Sequence, residues 1–300
     1  MRTILLNPGP VTLSERVRNA MLGPDLCHRE VEFADLQDGL RRKLLAVYGL
    51  DNSWAAILLT GSGTAAVEAM LVSVVPREGR LLIVENGVYG ERMSRIADTY
   101  GVAFGRVVSA WGAAPDYDGI ARALSNSAFT HVAVVHHETT TGRRNDLARL
   151  TQLCSAAGTQ LLVDGVSSFG AEPIDFDAPH LAACAATANK CLHGVPGTAF
   201  VIARRSALAV AAAPPRSVYL NLGEYLKRQD EHGTPFTQSV QTFYALNAAL
   251  DEYFEAGGRA AREQLFRQRM SAIRSTLLRL GVTPLLGGDE SPSSRRCAKA

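Results

Sequence analysis

Short apolar runs alternate with segments of helical period along the first two thirds of the chain. Each run is rich in aliphatic and β-branched residues and has the length of a strand that is buried on both faces. The five runs are Ala55–Leu59, Leu81–Val84, Val132–Val135, Leu161–Val163 and Ala199–Ile202. Strands that alternate with helices require crossover connections, so the pattern predicts an α/β fold with a mostly parallel sheet and helices on both faces.

Two of the intervening segments carry clear helix signals. In Ala65–Val75, apolar residues recur on one face at helical spacing. Asp146–Ala157 is closed by Gly158, and we predict Asn145 as its N-cap because asparagine side chains accept hydrogen bonds from the first helical turn. Ligands of such sheets bind at the carboxyl ends of the strands, so candidate residues are sought there.

The pattern changes near residue 238, where two long helical stretches, Gln238–Glu255 and Arg259–Leu280, replace the alternation. We therefore expect residues 1–237 to form a large domain with an N-terminal arm, and residues 238–300 to form bridging helices and an incomplete small domain. The final stretch, Gly287–Ala300, is polar and follows neither a strand nor a helix period.

Composition narrows the possible function classes. Hydrophobic residues make up 47% of the chain, charged residues 20%, and the formal net charge is +2, which argues against an extensive basic surface for nucleic acid or membrane. No apolar stretch approaches the roughly 18 residues of a membrane span, and the apolar run near the N-terminus is too short for a signal peptide. The five cysteines are far apart and form no CxxC pair, which favours the reducing cytoplasm and disfavours a disulfide framework.

A turn rich in glycine and hydroxyl groups, Leu59–Thr64, lies between a predicted strand and a predicted helix. Its glycines allow backbone N–H groups to approach an anion, and a helix N-terminus favours negative charge, so the turn is a candidate phosphate cradle. Gly61–Ala66 also fits the GxGxxA dinucleotide fingerprint, with Glu85 near the required acidic position. A nicotinamide-dependent oxidoreductase and a plain strand-to-helix turn therefore remain alternatives for this motif.

Asp164 and Lys190 are the two candidates for cofactor chemistry. Asp164 ends a buried strand, where a carboxylate could pair with the protonated pyridine nitrogen of pyridoxal phosphate (PLP), or simply cap a following helix. Lys190 lies among small and apolar residues and precedes the turn Val195–Gly197, which predicts a partly desolvated loop. Desolvation lowers the pKa of a lysine and makes it a nucleophilic amine, able to hold PLP as a Schiff base and to transfer a proton.

In the segment His136–Gly142, the end of a predicted strand is followed by a run of residues with hydroxyl groups. Thr139 could donate a hydrogen bond to the phenolic oxygen of the cofactor, although threonines are also common in simple turns. His136, His137 and Glu138 could suggest a metal site. We predict none, because adjacent residues of a strand point to opposite faces and no third ligand is evident.

Six segments in order along the chain resemble the class V PLP-dependent aminotransferases, over about residues 4 to 290. They are Asn7–Pro10, Gly61–Ala69, Glu85–Met93, His136–Gly142, Val163–Gly170 and Ala186–Gly197. The resemblance implies the PLP-dependent transferase fold type I. It also implies transfer of an amino group from 2-aminoethylphosphonate to pyruvate, which gives phosphonoacetaldehyde and alanine. A related small amino donor, or a truncated PLP-binding remnant without catalysis, is the alternative.

The resemblance also implies roles for individual residues. Lys190 would be the Schiff-base lysine and Asp164 the pyridine partner, and Pro8–Pro10 would lie near the substrate. The other implied cofactor-binding residues are Ser62, Gly63 and Thr64 at the phosphate with Asn189 close by, Tyr89 stacked on the ring, Thr139 at the phenolic oxygen, and Thr237 at the phosphate of a neighbouring subunit. The role of Thr237 implies a homodimer. Family members continue beyond the end of this chain and carry a substrate-binding arginine in the small domain. Neither Arg295 nor Arg296 lies in a matching motif, so the resemblance implies a truncation or a frameshift within Gly287–Ala300.

Overall fold

The computed structural model of the chain describes residues 4–209 and 214–287. The interruption predicted within Gly287–Ala300 and the two arginines Arg295 and Arg296 therefore lie outside the described residues, apart from Gly287 itself.

Nine strands form two sheets in the described chain. They are β1 (Trp54–Gly61), β2 (Arg80–Glu85), β3 (Ala103–Val108), β4 (His131–Val135), β5 (His137–Glu138), β6 (Arg143–Arg144), β7 (Gln160–Asp164), β8 (Leu181–Thr187) and β9 (Gly197–Arg204). The main sheet has the order β1-β9-β8-β7-β4-β2-β3, and β5 pairs with β6 alone. From β3 to β8 every neighbouring pair is parallel, whereas β9 runs antiparallel to both β8 and β1. The predicted mostly parallel sheet is confirmed.

Ten helices accompany the strands within the described residues. They are α1 (Glu15–Ala20), α2 (Val31–Ala46), α3 (Gly63–Val74), α4 (Val88–Thr99), α5 (Tyr117–Asn126), α6 (Leu147–Ala157), α7 (Arg205–Ala209), α8 (Leu222–Asp230), α9 (Val240–Glu255) and α10 (Gly258–Arg279). None of these helices has both the length and the apolar character that crossing a bilayer demands.

Helices cover both faces of the main sheet, because alternate residues of each strand contribute to separate apolar cores. Along β1, Leu58 packs in the core that contains Phe33 and Phe243, from α2 and α9. Its neighbours Ile57 and Leu59 pack in the other core, together with α3 and α8. Strands buried on both faces read as continuous apolar runs, which is why the sequence revealed five of them.

The N-cap prediction for α6 is wrong by one residue. The side chain of Asp146, not of Asn145, accepts the Arg149 backbone N–H at 3.1 Å. The Asn145 side chain is buried, and its amide donates to the Val135 carbonyl at 2.8 Å, so it is committed to the end of β4. Gly158 closes the helix in the left-handed region, as predicted.

At the outer edge of β1, side chains take the place of another strand and form hydrogen bonds with the backbone. The buried Gln229 amide of α8 donates to the Leu58 carbonyl at 2.7 Å, and its oxygen accepts the Leu58 N–H at 3.2 Å. Arg41 of α2 donates to the Ala56 carbonyl at 3.0 Å. Since buried backbone groups without partners are costly, these contacts stabilise the strand that leads into the Gly61–Thr64 turn.

Replacing Gln229 tests this edge. Gln229→Leu leaves a buried donor and a buried acceptor without partners, so the free energy of unfolding should fall by about 2 kcal/mol or more. Urea denaturation measures the change, with the exposed Gln264→Leu of α10 as the matched control, for which we expect a change within about 0.5 kcal/mol. Equal effects of the two substitutions would mean that the β1 edge does not need the Gln229 amide.

Candidate active site

Asp164 and the Lys190 loop lie at the same edge of the main sheet. Asp164 is the last residue of β7, and the parallel neighbour β8 ends at Thr187, three residues before Lys190. The carboxyl ends of parallel strands meet at one edge, where ligands of such sheets bind. Each of the two side chains is close enough to affect the titration of the other.

The Asp164 carboxyl is buried, with 5% exposure. Burial raises its pKa to about 7, because a low-dielectric environment disfavours the ionised form. A hydrogen bond from the Val166 N–H at 2.9 Å and the positive charges of Arg92 and Lys190 oppose that rise, while the negative charge of Glu138 adds to it. Turns and not a helix follow Asp164, so it is not a helix cap.

Lys190 is half-buried, and desolvation lowers the pKa of its amine. Its Nζ donates to the Gly9 carbonyl at 3.3 Å, so the N-terminal arm lies against it. A Cβ atom on Gly9 would come within 2.5 Å of the Lys190 Cδ, and the φ of +151° at Gly9 also disfavours other residues. Next to Lys190, the Asn189 side-chain oxygen accepts a hydrogen bond from the Thr187 hydroxyl at 2.8 Å.

The Gly61–Thr64 turn joins β1 to α3. Ser62 is the N-cap residue of α3, is exposed, and makes no side-chain hydrogen bond to the helix. A Cβ atom on Gly63 would lie 2.9 Å from the Val166 side chain, so glycine lets the turn approach the loop after Asp164. The first N–H groups of α3 can therefore bind an anion beside Asp164.

Glu138 links the elements that carry Tyr89 and Thr139. Its fully buried carboxylate accepts the Tyr89 backbone N–H at 3.2 Å and the Thr140 hydroxyl at 2.6 Å. A Cβ atom on Gly87, just before α4, would clash with the Glu138 side chain, so only glycine permits this approach. The Thr139 hydroxyl lies 2.6 Å from that of Ser167. No three potential ligands among the described residues are grouped to hold a metal ion.

Thr237 is not in contact with these residues in the described chain. Its side chain is exposed, and its hydroxyl lies 3.5 Å from His28 Nε2. The next residue, Gln238, accepts a hydrogen bond from the Thr60 hydroxyl at 2.9 Å, so the segment passes beside the Gly61–Thr64 turn.

Two cavities meet the candidate residues. A small one is lined by Gly63, Thr64, Val67, Tyr89, Arg92, Asp164 and Val166. A second cavity, of about 360 Å³, is lined by Asn7, Pro8, Thr139, Lys190, His193 and Arg269, among others. A larger cavity of about 500 Å³ lies against α6, but neither Lys190 nor Asp164 lines it, so we place the chemistry at the first two.

The donors that line the two cavities together fit pyridoxal phosphate: Asp164 and the α3 N-terminus line the small one, and Lys190 lines the second. The cofactor has a basic pyridine nitrogen, a phosphate and an aldehyde, which suit a buried carboxyl, an open helix N-terminus and a desolvated amine, respectively. The nicotinamide alternative requires Glu85 for a ribose. Glu85 is instead buried, accepts a hydrogen bond from Ser94, and lies 3.8 Å from Arg106.

The raised pKa of Asp164 predicts a pH-dependent stability of the cofactor-free protein. The unfolded carboxyl has a pKa of 3.8 and the folded one about 7, so the contribution of Asp164 is full below pH 3.8 and is lost as the pH rises to about 7. Asp164→Asn keeps an acceptor for the Val166 N–H but cannot ionise.

Between about pH 5.5 and about pH 8, the unfolding free energy of Asp164→Asn should therefore rise relative to wild type by about 2 kcal/mol. Urea denaturation at the two pH values measures it, and the exposed Asp177→Asn is the control that should show no such change. A constant difference between Asp164→Asn and wild type would contradict the raised pKa.

Comparison with known proteins places the chain in a family. The family model described as aminotransferase class-V matches residues 18–298. Two curated relatives are 37% and 38% identical to this chain, over 94% of its length and 78% of theirs. They are the 2-aminoethylphosphonate--pyruvate transaminases of Vibrio cholerae serotype O1 and of Klebsiella pneumoniae subsp. pneumoniae, respectively.

Solved structures agree with the sequence comparison. The crystal structure of the alanine--glyoxylate aminotransferase from Nostoc sp. is 27% identical, superposes with a TM-score of 0.89, and the match covers 98% of this chain and 78% of that one. The predicted fold type I of PLP-dependent transferases is thereby confirmed. Matched over most of its length by the family model and more than a third identical to two curated members, the chain belongs to the class-V aminotransferases.

Proposed function

We propose that this aminotransferase moves the amino group of 2-aminoethylphosphonate to pyruvate, giving phosphonoacetaldehyde and alanine. The observation that carries the proposal is the pair formed by the desolvated amine of Lys190 and the buried carboxyl of Asp164 at one edge of the sheet. The choice of substrates is supported by relatives at 37% and 38% identity that are named for this reaction.

Bound PLP supplies an electron sink for the carbon that loses or gains a proton. Lys190 holds the cofactor and moves the proton, tasks that its lowered pKa supports because a neutral amine is both nucleophilic and basic. Asp164 pairs with the pyridine nitrogen, and a protonated nitrogen beside it would restore the ionised carboxylate that burial alone disfavours.

Other residues bind and orient the cofactor. Ser62, Gly63 and Thr64 hold the phosphate at the start of α3, with Asn189 near the lysine. Tyr89 stacks on the ring through its flat apolar face. Thr139 donates to the phenolic oxygen, and its 2.6 Å contact with the Ser167 hydroxyl supports a fixed orientation.

The amino donor and pyruvate enter the 360 Å³ cavity beside the N-terminal arm. Pyruvate and the amino donor each carry an anionic group, and that cavity is lined by the guanidinium of Arg269 and by no aspartate or glutamate among its described lining residues. Such a cavity attracts carboxylates and phosphonates, because opposite charge is favoured where like charge is absent. Asn7 and Pro8 lie on its wall, which supports the predicted role of the arm near the substrate.

We further propose a homodimer in the cytoplasm, with residues 1–237 as the large domain and 238–300 as the bridge and small domain. Thr237 would then reach the phosphate of the neighbouring subunit, which its exposure in a single chain supports. Four described cysteines, Cys27, Cys154, Cys184 and Cys191, are free thiols, as a reducing compartment favours.

Product formation tests the proposal. Purified protein with PLP, 2-aminoethylphosphonate and pyruvate should form alanine and phosphonoacetaldehyde in equal amounts. Lys190→Ala should lower kcat by at least about a thousandfold, because it removes both the cofactor link and the proton carrier, whereas the exposed Lys227→Ala should not. A folded, PLP-loaded protein that forms no alanine from this donor would overturn the proposed reaction and support a non-catalytic PLP-binding protein, unless another small amine serves as donor.

A further inference from the structure

Arg92 is a cation at the phosphate turn to which the functional assignment above gives no role. It lies on α4, one turn after Tyr89, and its guanidinium stacks over the Tyr89 ring at 4.7 Å from the centroid. Its Nη1 donates to the Thr64 hydroxyl at 3.2 Å. Arg92 therefore reaches from α4 to the first turn of α3, where the open N–H groups are.

No carboxylate forms an ion pair with Arg92 among the described residues, although many other arginines of the chain have one. Arg92 is also half-buried, and it lines the same small cavity as Gly63, Thr64 and Asp164. By contrast, Arg95 lies three residues further along α4 and is exposed.

Two positive features thus face each other across one small cavity. The N-terminus of α3 carries a partial positive charge, and the Arg92 guanidinium carries a full one. An anion bound between them would interact favourably with both. A phosphate accepts hydrogen bonds from both, and guanidinium groups bind phosphate oxygens in a bidentate manner.

We propose that Arg92 is a phosphate-binding residue, whose guanidinium binds the phosphate ester of the cofactor that the Gly61–Thr64 turn holds. The proposal rests on the proposed function, because that function supplies the phosphate. In this arrangement Tyr89 contacts both the cofactor ring and the Arg92 guanidinium. Helix α4 therefore orients the ring and the phosphate of the cofactor together.

A different role for Arg92 would act through Asp164. The positive charge of Arg92 lowers the pKa of that carboxyl, and it could serve only to keep the carboxylate ionised. The two roles differ in which part of the cofactor they stabilise. A phosphate contact is lost when the phosphate is absent, whereas an effect through Asp164 depends on the pyridine ring and persists.

Comparison of PLP with pyridoxal, which lacks the phosphate, separates the two roles. Cofactor-free wild type, Arg92→Gln and Arg95→Gln are titrated with each compound, and binding is followed by the absorbance of the lysine-bound form. We expect Arg92→Gln to lower the affinity for PLP about ten- to a hundredfold, as loss of a charge-assisted contact does. It should change the affinity for pyridoxal by less than about threefold. Arg95→Gln should change neither.

An equal loss for PLP and pyridoxal would overturn the proposal in favour of an effect through Asp164, and no loss for PLP would overturn it outright. If Arg92→Gln does not fold, Arg92→Lys takes its place. Lysine keeps the positive charge but lacks the planar guanidinium, so the affinity for PLP should fall by about three- to tenfold while the affinity for pyridoxal stays the same.

Inorganic phosphate provides a measurement that does not depend on the link to Lys190. It should raise the Tm of the cofactor-free wild type and of Arg95→Gln, and it should raise that of Arg92→Gln clearly less. If wild type binds phosphate in this way but never forms a lysine-bound PLP species, the proposed function fails and the anion site remains. An equal rise in all three proteins would contradict the assignment of Arg92.

Discussion

The site depends on one electrostatic constraint, the burial of the Asp164 carboxyl at the end of β7. Burial raises the pKa of this group to about 7, so the ionised form needs a positive partner inside the protein. The positive charges of Lys190 and Arg92 lower the pKa of Asp164, while the negative charge of Glu138 raises it. A protonated pyridine nitrogen in contact with the carboxyl is the partner that this environment favours, and the carboxyl in turn keeps that nitrogen protonated.

The remaining elements keep this edge of the sheet closely packed. Glycine at three positions allows contacts that a side chain would prevent: Gly9 against Lys190, Gly63 against Val166, and Gly87 against Glu138. The buried carboxylate of Glu138 in β5 ties the start of α4 to the turn that contains Thr139, because it accepts the Tyr89 N–H and the Thr140 hydroxyl. The edge strand β1, with Gln229 bonded to its open side, leads directly into the Gly61–Thr64 turn. Stability of the fold and geometry of the site are therefore linked.

Residues whose environment is local in sequence were predictable. The five apolar runs became strands, Asp164 was found because it ends one of them, and Lys190 was found because it lies among small and apolar residues before a turn. Two strands of the main sheet escaped the pattern for physical reasons: β3 is largely exposed and contains Gly105 and Arg106, and β8 is built mostly from alanine, which has no strand preference. The N-cap of α6 was misassigned because adjacent Asn and Asp have similar capping preference, and only the contact with Val135 separates them.

Roles that depend on contacts distant in sequence were not predictable. Glu138 drew attention only as a possible metal ligand, and its contact with Tyr89 spans 49 positions. Arg92 stood inside a recognised segment, yet its approach to Thr64 requires α3 and α4 to be packed side by side. The role of Thr237 depends on a second subunit and stays a prediction, as do the domain bounds.

If Lys190 is the amine that holds the cofactor beside Asp164, borohydride reduction of the PLP-loaded protein should make that link permanent. Proteolysis and mass spectrometry should then find a pyridoxyl-phosphate label on the peptide that contains Lys190 and none on the peptides of Lys43 and Lys227. A label on another lysine, or an unlabelled Lys190 in protein that retains PLP, would contradict this role of Lys190.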